Sequence, residues 1–545
     1  MRLGIDFGTT RVVVAAVDRG NYPVAVFECA DGASRDWFPS LMAVRGTERR
    51  YGWDAWMAQQ EPGWTVVRSL KRILAQAGLE TRVQVAEQTL PLRTILEELT
   101  RTLKRDLAQR SNLNLSSSEP LEIMLGVPAN ANSNQRFLTA EGFRLGGFQV
   151  LGMLNEPSAA SIEFGHRQRI SESSRKTGCV LIYDLGGGTF DASLVEMDER
   201  THTVLASEGI YSLGGDDFDE MLAELALDAA GTLPAARDSL TQAQHFRLHE
   251  ECRLQKEGLH PNSRRIILDL AAARDEWGEI TVPVSDYYER CRPLIAETLD
   301  TVADLLAAHG LAPDAAAGDS EATRRLEAVY VTGGGSELPL VARELRERYG
   351  RKVRRSAHAH QATAIGLAIQ ADAQAGYVLK DRFTRFFGVW REAAGGTSAV
   401  FDPLFPKGAA LPGPWEPPLA SDRSYSPVHN IGHFRYLECS RLGDGGWPTG
   451  DITVWDEIRF PFDPVLEACP DLAAVEVGHN QNAMGQTINE SYSCSAGGSV
   501  AVTISNLTSG YSKRYQLARW APAAEPVTPG RSVRSGKRSP AKSRS

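Results

Sequence analysis

Two short stretches, far apart in the chain, carry the same chemical pattern: Gly4-Ile5-Asp6-Phe7-Gly8-Thr9-Thr10 and Asp184-Leu185-Gly186-Gly187-Gly188-Thr189-Phe190-Asp191. Each reads as an apolar strand ending in aspartate, a glycine turn bearing hydroxyls, and a second apolar strand. Glycine lets a turn backbone approach phosphate oxygens closely, so that amide N–H groups can donate to them. The aspartate closing each first strand suits water-mediated contact with Mg2+, which usually keeps several waters beside a nucleotide. One such turn is an ordinary hairpin more often than a site. Two copies on matching strands point to an ATPase.

The strands that must carry these turns are expected at 2–6 and 12–17 for the first copy, and at 180–184 and 192–195 for the second. Around them, residues 1–376 alternate strands and helices as an α/β architecture requires. Leu92, Leu96, Leu99, Leu103 and Leu107 recur at spacings of three and four, which predicts a helix with one apolar stripe, followed by a buried strand over 123–127. Another helix is expected after Gly214-Gly215-Asp216-Asp217, with Phe218, Met221, Leu222 and Leu225 on one face and the aspartates favouring its N-terminal dipole. The texture changes after Gly376. Residues 383–520 are rich in Gly, Pro, Trp and Tyr, with period-two stretches at Ile452 and Val454 and at Val500, Val502 and Ile504, and predict a small β domain. Residues 377–382 are the expected linker. From 521 to 545 the chain is Pro, Ser, Ala and basic residues, and a solvated, disordered basic tail is expected there.

Composition narrows the function further. A chain of 545 residues, 42% hydrophobic and 23% charged, can bury more than one core. Its net charge of -9 excludes an electrostatic nucleic-acid binder as the body of the protein. The seven cysteines, Cys29, Cys179, Cys252, Cys291, Cys439, Cys469 and Cys494, form no Cys-x-x-Cys pair, which argues against a zinc site or a disulfide framework. With no signal-peptide pattern and no bilayer-length apolar run, a cytoplasmic protein without a membrane partner is expected.

Further motifs make the hairpin reading specific: Leu70-Lys71-Arg72, Val127-Pro128-Ala129 with Gln135-Arg136, Asn155-Glu156-Pro157-Ser158-Ala159-Ala160, Leu213-Gly214-Gly215-Asp216-Asp217-Phe218-Asp219, and Val331-Thr332-Gly333-Gly334-Gly335-Ser336-Glu337-Leu338-Pro339. In order and spacing they resemble the 70-kilodalton heat-shock (DnaK-type) chaperone family over residues 1 to about 370. The resemblance implies an actin-like domain of two lobes that encloses ATP or ADP and Mg2+ in a cleft. On it, Gly8, Thr9, Thr10 and Arg11 match the first phosphate loop, and Gly186, Gly187, Gly188 and Thr189 the second. Asp6 and Asp184 fall on positions that organise Mg2+ through its waters. Lys71 falls on the catalytic lysine, whose charge stabilises the γ-phosphate, and Glu156 on the carboxylate that positions or deprotonates the attacking water; Thr189 is expected to act in catalysis with them. Lys256 and the Gly333, Gly334, Gly335, Ser336 and Glu337 run match segments that contact the nucleoside. Pro128 and Arg136 match a proline switch and a relay arginine that report nucleotide state to the partner domain.

The chain also departs from the family pattern. Glu337 stands where an arginine usually stacks on adenine, Arg253 replaces a glutamate, His260 replaces a serine, and His360 replaces an ion-linked aspartate. Arg253 is the residue expected to swing in for the missing cation. The second domain resembles the family's peptide-binding β sandwich, through Pro403-Leu404-Phe405-Pro406-Lys407-Gly408-Ala409-Ala410-Leu411-Pro412 and Ser495-Ala496-Gly497-Gly498-Ser499-Val500-Ala501-Val502-Thr503. Leu404, Phe405, Val500 and Val502 would serve as groove walls for an extended apolar client, or equally as sandwich core. No long amphipathic helix pattern follows Trp520, so a divergent member without a helical lid is expected. The implied function is a chaperone that binds and hydrolyses ATP and holds unfolded or extended polypeptide, with a J-domain co-chaperone or nucleotide-exchange factor as further partners. The alternative is a nucleotide-binding scaffold or sensor that uses its β domain for one dedicated partner, with weak or no ATP turnover.

Overall fold

The computed structural model describes residues 1–517 except positions 60, 114, 117–118, 172–177, 233, 312–325, 394–397, 414–415 and 456. The expected basic tail, and the stretch after Trp520 where no lid was expected, lie outside the described residues.

The two glycine motifs are the turns of two equivalent hairpins. Arg2–Phe7 pairs antiparallel with Arg11–Ala16, and Gly178–Leu185 pairs antiparallel with Phe190–Asp198. In both copies, two parallel strands extend the sheet beyond the hairpin's first strand. Glu122–Val127 and then Gln149–Asn155 do so in the first, Leu326–Thr332 and then Val353–Arg355 in the second. Parallel neighbours require crossovers. Ser133–Leu145 supplies one and Pro339–Tyr349 the other. The leucine stripe is core: Leu92, Leu96, Leu99, Leu103 and Leu107 on the helix Leu92–Gln109 are all within 1% of complete burial.

Each half also ends in a helix, Glu156–Ser171 in the first and Ala362–Ala371 in the second, and the two cross in contact. A Cβ at Gly366 would lie 1.8 Å from the Ala159 carbonyl oxygen, and one at Gly4 would lie 2.2 Å from the Ala368 nitrogen. Only glycine fits at these backbone approaches, which close the two halves onto one another. The cleft between the hairpin turns follows from that closure.

Beyond Gly376, Val378–Lys380 joins the second sheet as a parallel edge strand, with Val378 opposite Thr201 and Lys380 opposite Thr203. Two antiparallel four-stranded sheets come next. One orders Ser398–Phe405, Phe386–Ala393, Tyr436–Leu442 and Pro448–Val454; the other orders Leu419–Tyr425, Ile488–Cys494, Val500–Asn506 and Ser512–Gln516. Tyr436 of the first meets Tyr492 of the second edge-to-face, with ring centres 6.1 Å apart. Leu404, Phe405, Val500 and Val502 are all buried, so they serve as core and are not walls of an open groove. Ile452 and Val454 alternate with buried Thr453 and face outward: the period was legible, but the buried face is the polar one.

Candidate functional site

The two hairpin turns face each other tip to tip. A Cβ on Gly187 would stand 3.2 Å from the Thr10 side chain, and one on Gly188 would stand 2.7 Å from Thr9 Oγ1. The second turn is tight, with the Gly186 N–H donating to the Thr189 carbonyl at 2.9 Å. It is pinned from behind, because the N–H groups of Gly215 and Asp216 donate to the carbonyls of Gly186 and Gly187 at 2.9 and 2.7 Å. Gly333 has a φ of +82° and lies against Leu185 and Asp184, where a Cβ would fall 2.3 Å from the Leu185 carbonyl oxygen. Gly335 packs on the Gly186 carbonyl, which lies 2.7 Å from a would-be Cβ. The third glycine motif therefore buttresses the second turn with bare backbone. Thr10 and Thr189 are only partly buried, at the cleft side of their turns.

Below the turns lies a buried ion pair with its carboxyl surroundings. Lys71 Nζ donates to Glu156 Oε1 at 2.7 Å, and both side chains are nearly inaccessible. They come from the short helix Leu70–Ala75 and the first residue of the helix Glu156–Ser171. Asp184 and Asp191 are buried beside them, and Asp6 is partly exposed to the cleft. Desolvation, reinforced by the Glu156 charge, pushes the carboxyls of Asp6 and Asp184 up, and takes Asp191 to about 7. Burial opposes the charge on Lys71, but Glu156 and Asp6 outweigh it and hold the ammonium above the ordinary lysine range. Asp191 was not singled out from the sequence, although it ends the second motif as Asp184 begins it.

The other end of the cleft is a lattice of paired charges. Arg11, the last residue matched to the first turn, directs its guanidinium away from the turns: Nη2 is 2.6 Å from Glu257 Oε2, Nη1 is 3.5 Å from His360 Nδ1, and Cζ is 4.9 Å from the Trp37 ring centre. His360 Nε2 is 3.0 Å from Glu337 Oε2, and Arg355 also reaches Glu337, at 3.3 Å. Arg253 does not swing in as expected. Glu250 and Glu257 bind it at 2.7 and 3.0 Å, and burying it leaves no unpaired guanidinium to offer. Lys256 is likewise committed, to Asp219 at 2.7 Å and the Gly215 carbonyl at 2.8 Å. Ser336 Oγ donates to the Gly333 carbonyl at 2.6 Å, and His260 lies exposed. Contacts from one half to the other that the sequence did not announce close the cleft between its ends: Arg68 to Glu250 at 2.5 Å, Ser69 to Asp216 at 2.8 Å, and Arg72 to Asp217 at 3.1 Å.

A third cluster joins the cleft to the sheets beyond residue 385. The turn after Pro128 touches both: the Asn130 N–H donates to Asp191 at 3.2 Å, and the Ala129 carbonyl accepts from Thr384 Oγ1 at 2.7 Å. Arg136 is buried, donating to Asn155 Oδ1 at 2.5 Å and the Gly497 carbonyl at 3.3 Å. At the N-terminus of the helix Ser133–Leu145, the Ser133 N–H donates to both Glu438 oxygens at 3.2 Å, and its hydroxyl donates to the same carboxylate. Arg385, 2% exposed, lies 3.4 Å from Glu438 and 2.8 Å from Asp451. One continuous apolar cluster holds Leu3, Leu99 and Phe137 together with Phe387, Tyr436 and Val500. The turn after Pro128 and the Arg136 side chain thus lie between the cleft and the sheets beyond residue 385, and the edge strand Val378–Lys380 leads into Asp381, which accepts from Ser158 at 3.1 Å.

Among the described residues, no helix is long and apolar enough to cross a membrane. The chain is 32% identical over 394 residues to a chaperone protein HscA homolog of Pseudomonas aeruginosa, covering 69% of this chain and 58% of that protein. It is 30% identical over 390 residues to chaperone protein HscA of Xenorhabdus nematophila, and 32% over 384 residues to that of Serratia proteamaculans, covering 68% of this chain and 57% of each relative. The matched stretch is thus less than three fifths of each relative's length. A family model described as Hsp70 protein matches residues 2–384. The chain belongs to the 70-kilodalton heat-shock protein family, whose members carry the actin-like two-lobed ATPase domain.

Proposed function

We propose that the chain is an ATP-dependent chaperone, which binds Mg-ATP and Mg-ADP between the two hairpin turns and hydrolyses ATP slowly. The observation that carries this reading is the buried Lys71–Glu156 pair below the facing turns. A carboxylate there can orient and deprotonate an attacking water, and the adjacent ammonium can stabilise the charge that develops on the γ-phosphate. The Thr10 and Thr189 hydroxyls and the turn N–H groups hold the phosphate oxygens, with the Gly333–Glu337 run and the end of the helix Gln242–Glu257 flanking the nucleoside. The donor set also fits Mg2+. One ammonium faces the carboxyls of Asp6, Glu156, Asp184 and Asp191, an excess of negative charge that a cation would offset. That carboxyl set suits an ion held through its waters, with Asp6 and Asp184 in its outer shell. Bound there, Mg2+ supplies charge neutralisation of the phosphates.

In this reading residues 1–376 form the nucleotide domain, 377–382 the linker and 383–520 a β sandwich that holds extended or unfolded polypeptide. Pro128 and Arg136 couple the two domains, and a J-domain co-chaperone or exchange factor acts on the cycle in the cytoplasm. The scaffold alternative loses ground to the assembled Lys71–Glu156 pair and to relatives that are named chaperones. Single-turnover hydrolysis, with and without an unfolded peptide, tests the proposal: slow turnover that responds to peptide is expected. Calorimetry that finds no Mg-ATP binding to well-folded protein at millimolar nucleotide would remove it.

A further inference from the structure

We propose that Arg11 is the cation that meets the nucleotide base, poised by Glu257 on one side and by the His360–Glu337 pair on the other. The assignment rests on the nucleotide reading above, since it takes the phosphates to lie at the turns and the base beyond them. Arg11 begins the strand Arg11–Ala16, so its backbone belongs to the phosphate end while its long side chain reaches the other end. There it reaches Glu257, at the end of the helix Gln242–Glu257 of the opposite half, and His360, which in turn pairs with Glu337 of the turn Gly334–Glu337.

The hydrogen-bond directions are consistent. A carboxylate only accepts and a guanidinium only donates, so both contacts are satisfied by the His360 tautomer that carries its proton on Nε2 toward Glu337 and offers the Nδ1 lone pair to Arg11. Glu337, the anion where the family has a stacking cation, is thereby turned into a support for a cation from elsewhere. The surroundings are also exchangeable. The side chains of Glu257, His360 and Glu337 are 40%, 35% and 48% exposed, so Arg11 can trade a solvated partner for the face of a base at small cost. Its guanidinium carbon already lies 4.9 Å from the Trp37 ring centre, within cation–π range of one aromatic face. Arg253 has no such freedom: its side chain is 5% exposed and is held by both Glu250 and Glu257.

The test compares Mg-ATP with Mg-tripolyphosphate, which has the phosphates and no base, by calorimetry on the full chain. Arg11→Ala should weaken Mg-ATP by about 3- to 30-fold, the range of a stacked cation, and leave tripolyphosphate within about twofold. Arg11→Lys keeps the charge without the plane, is the variant less disturbing to folding, and should fall between. Equal losses for both ligands would make Arg11 a phosphate contact and overturn the assignment, as would tighter Mg-ATP binding in Arg11→Ala, which would make the side chain a plug. A selective loss of Mg-ATP in Arg253→Ala with none in Arg11→Ala would give the role to Arg253. Wild-type protein that binds tripolyphosphate but not Mg-ATP would overturn the nucleotide reading and this assignment with it; normal wild-type binding with an unchanged ratio in Arg11→Ala overturns the assignment alone.

Discussion

The two ends of the cleft are built on opposite principles. At the phosphate end, backbone presses on backbone, and the charged groups are buried with their carboxyls pushed up by desolvation. At the other end, side chains press on side chains, and the carboxylates that pair with Arg11 and His360 are 40% and 48% exposed. The His360 hydrogen bond holds the Glu337 carboxyl below the ordinary glutamate range. Burial works against the Glu257 charge, but Arg11 and Arg253 outweigh it and hold that carboxyl down too. The contrast teaches which end can change. Glycine packed on a carbonyl admits no other residue, and a buried lysine cannot lose its carboxylate cheaply. An exposed ion pair is worth little, so its members can be exchanged, reversed or recruited from another strand. That is the physical setting in which Glu337 can replace a cation while the glycine turns stay intact.

The largest effect expected from this contrast is on chemistry. Lys71→Ala or Glu156→Gln should slow single-turnover hydrolysis by orders of magnitude, a loss of roughly 3 kcal/mol or more of transition-state stabilisation, with nucleotide still bound. Unchanged rates in both variants would move the chemistry elsewhere. Next come two neighbouring glycines on the border between the ends. A Cβ on Gly335 would meet the backbone oxygens of Gly186 and Leu185, at 2.7 and 3.0 Å, whereas one on Gly334 would meet only the His360 ring, at 2.6 Å. The ring can turn; the carbonyls cannot. Gly335→Ala should therefore cost about 1–3 kcal/mol of stability by overpacking, and Gly334→Ala clearly less, as read from paired denaturant melts. Equal costs would erase the distinction between a rigid and a yielding end.

What the sequence made legible divides along the same line. The hairpins, the leucine stripe and the buried strand over 123–127 are local patterns, where a few adjacent residues fix backbone and burial together. Lys71 and Glu156 followed from motif order, and they do meet. The base end did not follow, because its contacts join residues far apart in the chain and depend on where long side chains point. Nothing local to Gly8-Thr9-Thr10-Arg11 says that the arginine turns from the phosphates toward Glu257, 246 positions away. Nor does residue type alone tell that Arg253 is locked between two glutamates. Beyond residue 385, alternation showed strands but not which face is covered. Thr453 turns inward because Asn132 Nδ2 donates to its hydroxyl at 3.1 Å, and that leaves Ile452 and Val454 outside.

The two ends should also answer differently to pH. In the nucleotide-free protein Asp191 holds a proton up to about pH 7, and Asp6 is raised with it. These folded-state pKa values lie above the unfolded value of 3.8, so the folded chain binds more protons than the unfolded one between those limits, and stability falls as pH rises through that window. A divalent cation with nucleotide favours the ionised carboxyls. Binding of Mg-ATP should therefore release protons near pH 7 and tighten as pH rises from 6 to 8, by at most about 1.4 kcal/mol per unit for each proton released. Calorimetry in buffers of different ionisation enthalpy reads the proton count directly. Glu337 and Glu257 are already ionised across this range and should contribute none. No proton release at pH 7 would mean that the buried carboxyls keep their charge before the ligand arrives.

The smallest effect is expected at Glu337. Its carboxylate pairs with His360 and Arg355, all three side chains being between about a third and a half exposed, so the pairs are solvated and screened by salt. Glu337→Gln keeps the shape, loses the charge, and leaves the His360 ring a neutral oxygen to donate to. Stability should change by no more than about 1 kcal/mol, with the difference shrinking further in high salt. Glu156→Gln makes the same chemical change around buried Lys71, where the ammonium would lose the carboxylate that offsets its burial, and should cost several times as much. Thermal melts of the two variants at low and high ionic strength make the comparison on one scale. A Glu337→Gln loss as large and as insensitive to salt as that of Glu156→Gln would show that the base end is held as firmly as the phosphate end, and that its altered residues are fixed parts of the cleft.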